Sequence, residues 1–468
     1  MKLSAADLHS IRPRVIHHRE LLTERNFTGV STDSRTVEPG NLFVALKGPR
    51  FDGHRFLADA RGRGAVAAVV DRTVSVRSSP AMPLVVVEDT TRALGRLARL
   101  YRDKFTIPIL AVAGSNGKTT TREMIAAVLG TRYEVLSTEA NLNNQIGVPL
   151  TLFRLSEDHE VAVVEIGTNH PGEIARLCAI LNPTHGLVTN VGREHLEFFR
   201  TVGGVAREEG SLYRFLASRS SGKAFVNADD LHVVRAAAGV RHRVTYGFLT
   251  PSCMVRGEAV SLDESACASF RVRPRRARGI SVQLATAGAH AAQNALAAAA
   301  VGIAFKVSAP NIRRALREFR PVAKRMEVTQ VNGVTIMNDT YNANPDSAVA
   351  ALQTLAGIRS RGKKVAVLGD MRELGGAAVA EHARVGAELE DLGIEYLFTF
   401  GERARHYHDR ARVMFAVHFR EKNMLAEYLA ELLAPGDAVL VKGSRAMKME
   451  DIVTFLSERL STLPVVPD

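Results

Sequence analysis

The chain has no uninterrupted apolar run of roughly 18 residues, the length a membrane helix needs, so no membrane span is expected. Its N-terminus, "MKLSAADLHSIRPRV", lacks a long apolar core and a small-residue cleavage pattern, so no secretory signal is expected either. Cysteine is scarce: Cys178, Cys253 and Cys267 are the only three, and no two form a C-x-x-C pair. That scarcity fits a reducing cytoplasm and argues against a structural zinc. No internal repeat at a fixed period is evident. The densest basic run, "RVRPRRARG" at 271–279, contains no aromatic residue on which a base could stack. It therefore reads as a solvated edge, and no nucleic-acid partner is expected. The net charge of +12 also suits a polyanionic small substrate.

What is present is the balance of a soluble globular protein, 46% hydrophobic and 24% charged residues. A length of 468 residues exceeds one ordinary core and suits roughly two to four domains. Residues 1–106 read as a small α/β unit: strands in "NLFVALKG", "AVAAVV" and "PLVVVED", helices in "DGHRFLADARGRG" and "TTRALGRLARLYRDKF". Residues 107–320 open with the buried-strand run "IPILAVAG", followed by a glycine loop and a helix that stops at Gly130. Strands "VAVVEIG" and "HGLVTNVG" then alternate with helical segments, the pattern of a parallel sheet covered on both faces. The alanine-rich "AHAAQNALAAAAVGIAF" reads as a tightly packed helix beginning near His290. Residues 321–468 carry four more strands, each followed by a helical pattern, and predict a Rossmann-like, doubly wound unit. In "NPDSAVAALQTLA", Asn344 is placed to cap a helix whose first residue is Pro345.

The chemistry gathers at strand ends. Gly114, Gly117, Lys118 and Thr119 spell G-x-x-G-K-T, shorter than the common phosphate-loop pattern, with Ser115, Asn116 and Thr120 completing the loop. Glycines let backbone N–H groups face phosphate oxygens, the lysine neutralises their charge, and the threonine hydroxyl suits a magnesium ion. Such a tripeptide is common by chance in loops, but not between a buried strand and a helix. Glu165 ends the strand "VAVVE" and His195 follows "GLVTNVGRE". In a parallel sheet the strand C-termini line one crevice, so both are candidates to join Thr119 there. Position, rather than residue type, singles out His195. Two further α/β units beside a nucleotide site favour an enzyme with several substrates over a switch.

The stretches "STDSRTVEPGNLFVALKG", "GSNGKTTTRE", "NLNNQIGVPLTL", "EIGTNHPGEI", "TNVGREHLE", "NDTYNANPDS", "VLGDMRELG" and "VKGSRAMKME" occur in the order found in Mur ligases, which the chain resembles over nearly its whole length. "YNANPDS" with "GDMRELG" is similar to the branch of that family that adds D-alanyl-D-alanine. The resemblance implies a UDP-precursor-binding domain, a central ATP-binding domain and a C-terminal domain that takes the dipeptide. It implies ATP and Mg2+ as cofactors, UDP-N-acetylmuramoyl-tripeptide and D-alanyl-D-alanine as partners, a monomer, and an acyl-phosphate route to the amide. By the same resemblance Lys118 holds phosphates, Thr119, Glu165 and His195 serve the metal, and Asn294 lies on the adenine side, although the usual "G-x-H-N" neighbourhood reads "GAHAAQN". Arg325 and Asp339 correspond to contacts with ATP. Asn342, Asn344, Lys442 and Arg445 fall on the dipeptide side, and Asn141 and Asn144 among the substrate contacts. Thr32, Asp33, Ser34, Arg35 and Lys47 correspond to the UDP side, where "TDSR" taken alone reads as a capped turn.

One position departs from the family. Fourteen residues after the metal histidine the family carries a carbamylated lysine that supports a second magnesium; here that position is Glu209. Either its carboxylate replaces the carbamate, or it makes an ordinary salt bridge and the second metal is weak or absent. Two alternatives to the dipeptide ligase follow: a paralogous amide ligase for another amine or acid, and a non-catalytic nucleotide-binding paralogue.

Overall fold

The computed structural model describes residues 1, 3–22, 26–49, 51–71 and 82–462. Three sheets organise the α/β chain. The first has five strands in the order Val15–His17, Leu84–Val87, Ala67–Asp71, Leu42–Val44, Val30–Ser31, with only the first pairing antiparallel. The helix Thr90–Arg102 that follows packs against the central helices Gly147–Leu152 and Glu173–Leu181. Its buried Arg102 donates to the carbonyls of Leu181 and Phe105, so this helix is the joint between first and second units.

The second sheet has nine strands, and the strand Ile109–Ala113 lies between Val161–Glu165 and His185–Val188. All five residues of that strand are buried. Ile109, Ala111 and Ala113 face one apolar layer while Leu110 and Val112 face the other. That two-sided burial is why the segment reads as a continuous apolar run. Along the opposite layer the helix Ala289–Ala304 packs on Lys118–Leu129. Its small residues allow the close approach: a Cβ on Gly302 would stand 2.6 Å from Val128 Cγ1.

The strands around Ile109–Ala113 pair in parallel as expected, and the far edge of the sheet, beyond the strands expected from the sequence, differs. Val255–Leu262, Cys267–Pro274 and Ile280–Ala287 run antiparallel to one another. The basic run forms the end of the middle strand and the turn after it. One face of these strands is buried through Phe270, Val272, Val282 and Leu284, while Arg271, Arg273, Ser281 and Gln283 face water. Strands with so polar an outer face resemble loops when judged by hydrophobic content alone.

The third sheet has six strands in the order Glu327–Val331, Val334–Asp339, Ala438–Lys442, Lys364–Gly369, Tyr396–Phe400, Phe415–Phe419, parallel except at its first pair. Asn344 caps the helix Pro345–Gly357 through a reciprocal pair with Ser347, as the local sequence requires. The carboxyl ends of the second and third sheets face each other across one cleft.

Candidate active site

The cleft has a volume of about 860 Å3. In the central sheet Val112 is in register with Glu165, and Ala113 with Val188. Register therefore puts the loop 114–117, the end of the Glu165 strand and the segment 189–195 side by side. Gly114 (φ +117°) and Gly117 (φ +77°) hold left-handed backbone in the loop. At Gly117 a Cβ would also stand 2.5 Å from Asn294 Oδ1, so glycine is required there twice over. The loop is buttressed from the next strand: Ser115 N–H donates to Asn190 O at 2.9 Å, Asn116 N–H to Asn190 Oδ1 at 3.0 Å, and Thr189 Oγ1 to Asn116 O at 2.7 Å.

Lys118 begins the helix and folds its ammonium back on the Gly114 carbonyl, with Ser115 O at 3.2 Å and Glu194 Oε2 at 3.5 Å. Burial alone would weaken its charge. The carboxylates of Glu194, Glu209 and Glu165 outweigh that and hold its pKa above the ordinary lysine value. Thr119 is 4% exposed at the cleft floor. Glu165, buried, accepts from Asn143 Nδ2 at 2.8 Å on one oxygen, while its other oxygen lies 3.4 Å from Arg122 Nε without a hydrogen bond. His195 enters the left-handed region (φ +48°) at the head of the short helix Leu196–Phe199. Its Nδ1 is 2.5 Å from Glu373 Oε2, and its Nε2 is 3.8 Å from Glu194 Oε2.

Glu209 closes the helix Val202–Glu209 and is fully buried behind the loop, outside the cleft lining. Its Oε2 accepts the Gly114 N–H at 2.8 Å, and its Oε1 has no partner. Desolvation, reinforced by Glu194, pushes its pKa up to about 8. Among the described residues it makes no salt bridge.

From the third sheet, Lys442 is 2% exposed and bonds Asp339 Oδ2 at 2.5 Å and Asn342 O at 2.9 Å. The Arg325 guanidinium lies 3.8 Å from the centre of the Tyr341 ring. Asn344 reaches across to the loop, Nδ2 to Asn116 Oδ1 at 2.8 Å. These four residues, with Tyr341 and Asn342, line the same cleft as Ser115 to Thr120, Asn141, Asn144, Glu165, His195 and Asn294. Asn144 Oδ1 also accepts from Ile146 and Gly147 N–H at 3.0 Å, just ahead of the helix Gly147–Leu152.

Other candidates stand apart. Arg445 pairs with Glu450 at 2.8 Å outside the cleft lining. Thr32, Asp33, Ser34, Arg35 and Lys47 belong to the first unit and line no part of the cleft. There Asp33 caps the turn Ser34–Thr36, and hydrogen bonds from Arg35 lower its pKa to about 2. Lys47 is exposed on a two-residue strand.

Sequence reasoning passed over Glu194, Glu373, Asn143, Arg122, Arg193 and Asp346. Glu194 had a signal, since it adjoins His195 at a strand end, and Asn143 lies inside a quoted motif. Arg122 had none: nothing local marks a helical arginine as the buried neighbour of Glu165.

Among the described residues no three His, Cys, Asp or Glu side chains form a ready-made metal cage. Buried carboxylate oxygens on Glu165 and Glu194, both in the cleft lining, nonetheless lack hydrogen-bond partners. Hard oxygen donors with unmet negative charge suit magnesium, which keeps waters and phosphate oxygens among its ligands. The residues present therefore fit a magnesium ion shared with phosphates.

Fold and site together define a phosphate-loop protein in which a Rossmann-like C-terminal unit faces the loop across a polar cleft. Residues 26–102 match the model of the Mur ligase family catalytic domain, 112–302 the Mur ligase middle domain, and 324–445 the Mur ligase glutamate ligase domain. The chain is 35% identical over 432 residues to the UDP-N-acetylmuramoyl-tripeptide–D-alanyl-D-alanine ligase of Escherichia coli (strain K12), covering 92% of this chain and 93% of that one. It superposes on a crystal structure of MurF from Acinetobacter baumannii with a TM-score of 0.89, 31% identity and coverage of 97% and 99%. For MurF from Thermotoga maritima in complex with ADP the values are 0.82, 27%, 92% and 97%. The chain belongs to the Mur ligase family.

Proposed function

We propose that the protein joins D-alanyl-D-alanine to UDP-N-acetylmuramoyl-tripeptide in peptidoglycan precursor synthesis, using ATP and releasing ADP and phosphate. The observation that carries this reading is the single cleft shared by the loop residues Ser115 to Thr120 and by Arg325, Asp339, Asn342 and Lys442. A carboxylate is a poor acyl donor at neutral pH, so the reaction needs activation. The tripeptide's terminal carboxylate attacks the γ-phosphorus, and the β–γ bridging P–O bond breaks to release ADP. The dipeptide amine then attacks the acyl carbon, and the C–O bond to phosphate breaks from the tetrahedral intermediate while the nitrogen loses its proton.

In this reading the loop N–H groups and Lys118 bind the transferred charge, Asn294 borders the adenine, and Arg325 and Asp339 reach ATP from the C-terminal unit. Thr119, Glu165 and His195 would hold a magnesium ion, and Glu209, once deprotonated, would add negative charge from behind the loop. Bound there, the ion neutralises charge on the phosphate oxygens. Asn342, Asn344 and Lys442 orient the dipeptide, and Arg445 supports that side from outside the lining, 5.9 Å from the Tyr341 ring centre. Thr32, Asp33, Ser34, Arg35 and Lys47 receive the UDP end, with Asn141 and Asn144 nearer the peptide. Residues 1–106, 107–320 and 321–468 thus divide precursor, ATP and dipeptide among three domains of a cytoplasmic monomer. No helix among the described residues is long and apolar enough to cross a membrane. Incubation with ATP, magnesium, the UDP-tripeptide and a panel of amines, read by mass, tests the reading: the pentapeptide product should require D-alanyl-D-alanine. Release of AMP and pyrophosphate would overturn the acyl-phosphate route.

A further inference from the structure

Glu373 comes from the C-terminal unit, yet it is clamped to the helix that His195 heads. Its carbonyl accepts the Glu197 N–H at 3.1 Å. Two residues on, Gly375 (φ +51°) lies so close that a Cβ would stand 2.9 Å from Glu197 Cα. The backbone at both ends of the contact is left-handed, Glu373 at φ +64° and His195 at φ +48°. Such conformations are unfavourable in non-glycine residues and persist only where the surroundings over-determine them. The result is the 2.5 Å contact between Glu373 Oε2 and His195 Nδ1. Beyond the ring, Nε2 lies 3.8 Å from Glu194 Oε2, which lies 3.5 Å from Lys118 Nζ. A line of alternating charge capacity therefore runs from the C-terminal unit to the phosphate loop.

We propose that Glu373 is a positioning residue: by accepting the Nδ1 proton of His195 it fixes the tautomer and ring orientation that present Nε2 to a cation, and it does so only while the C-terminal unit is docked. This rests on reading His195 as a metal-side residue. A carboxylate behind a ligating histidine is the arrangement that raises ligand basicity and orients the ring. His195 Nδ1 is buried and has no hydrogen-bond partner other than this close carboxylate contact. An ordinary salt bridge between units would not need the backbone clamp at Glu197 and Gly375. Assembly of the cation site is thereby coupled to closure of the cleft.

The test uses the full chain, Mn2+ as the probe ion and a non-hydrolysable ATP analogue, with free Mn2+ read by electron paramagnetic resonance. Glu373→Ala should weaken Mn2+ binding about 10- to 100-fold. Glu373→Gln, whose amide oxygen still accepts from Nδ1, should recover most of the loss. The double variant Glu373→Ala/His195→Ala should bind no more weakly than His195→Ala, because the two residues act as a unit. Wild-type affinity in Glu373→Ala, failure of Glu373→Gln to recover, or full additivity would each overturn the proposal. His195→Ala with unchanged Mn2+ binding would overturn it together with the metal reading of His195. A protein that shows the expected cycle but ligates no dipeptide would leave Glu373 in place and remove the proposed substrate instead.

Discussion

Arg193 of the central unit holds Asp346 of the C-terminal unit twice, through its backbone N–H at 2.6 Å and its guanidinium at 2.9 Å. The approach is so close that a Cβ on the neighbouring Gly192 would stand 2.6 Å from Asp346 Oδ2. The pair joins the central and C-terminal units, as does the nearby Asn344–Asn116 contact. The Arg193 and Asp346 side chains are 40% and 31% exposed, which limits their worth to roughly 1 kcal/mol after solvent screening. Asp346→Ala should shift the protein toward an open arrangement without unfolding it. Small-angle scattering of the ligand-free variant should show a larger radius of gyration, and saturating ATP and UDP precursor should restore the smaller one.

Lys118→Ala should lower kcat by at least about two powers of ten at saturating ATP, the scale seen when a group aimed at developing charge is removed. Turnover near the wild-type value would mean that the loop does not bind the transferred phosphate. Gly117→Ala should fail earlier, at nucleotide binding, because its methyl meets Asn294 in a backbone conformation that resists one. Titration with a fluorescent ATP analogue separates the two defects.

Glu209→Gln tests whether the carboxyl behind the loop supports the metal. The amide keeps the acceptor for the Gly114 N–H but cannot carry charge. The variant should turn over far more slowly and need more magnesium, and wild-type turnover should not respond to bicarbonate. Wild-type rate and magnesium dependence in the variant would exclude a metal role.

His185 gives the fold a pH dependence away from the cleft. Burial, with Lys223 adding to it, pushes the imidazole pKa down to about 4, against an ordinary value of 6.5. Between those values the unfolded chain takes up a proton that the folded chain refuses. The contribution is therefore complete above pH 6.5 and is lost as pH falls toward 4, by at most about 3 kcal/mol. Urea unfolding at pH 7.5 and 4.5 should show a smaller loss for His185→Gln than for the wild type.

Much of the site was legible in one dimension because its parts are local. A buried strand, two glycines, a lysine and a threonine occur within eleven residues, Ile109–Thr119, and need no distant partner to be recognised. Glu165 and His195 were legible one step further out, because strand ends in a parallel sheet share an edge. The antiparallel edge 255–287 was not read, since outward Arg, Ser and Gln residues hide its buried face from a hydrophobic count. Glu209 was picked out only as an exception to the family pattern. Its burial behind Gly114, rather than in the cleft, depends on how the helix Val202–Glu209 packs.

The sequence alone determined the phosphate loop, the α/β class, the capped helix at Asn344 and the family, because each rests on residues close together or on motifs in order. Only the tertiary structure decided that Glu373 meets His195, that Asp346 meets Arg193, and that Glu194 links His195 to Lys118. The first two contacts join residues more than 150 positions apart on different units. The third depends on the turn after the strand His185–Val188. Hydrogen bonds and ion pairs form between groups that folding brings within a few ångströms, and the spacing of residues along the chain carries no record of that distance.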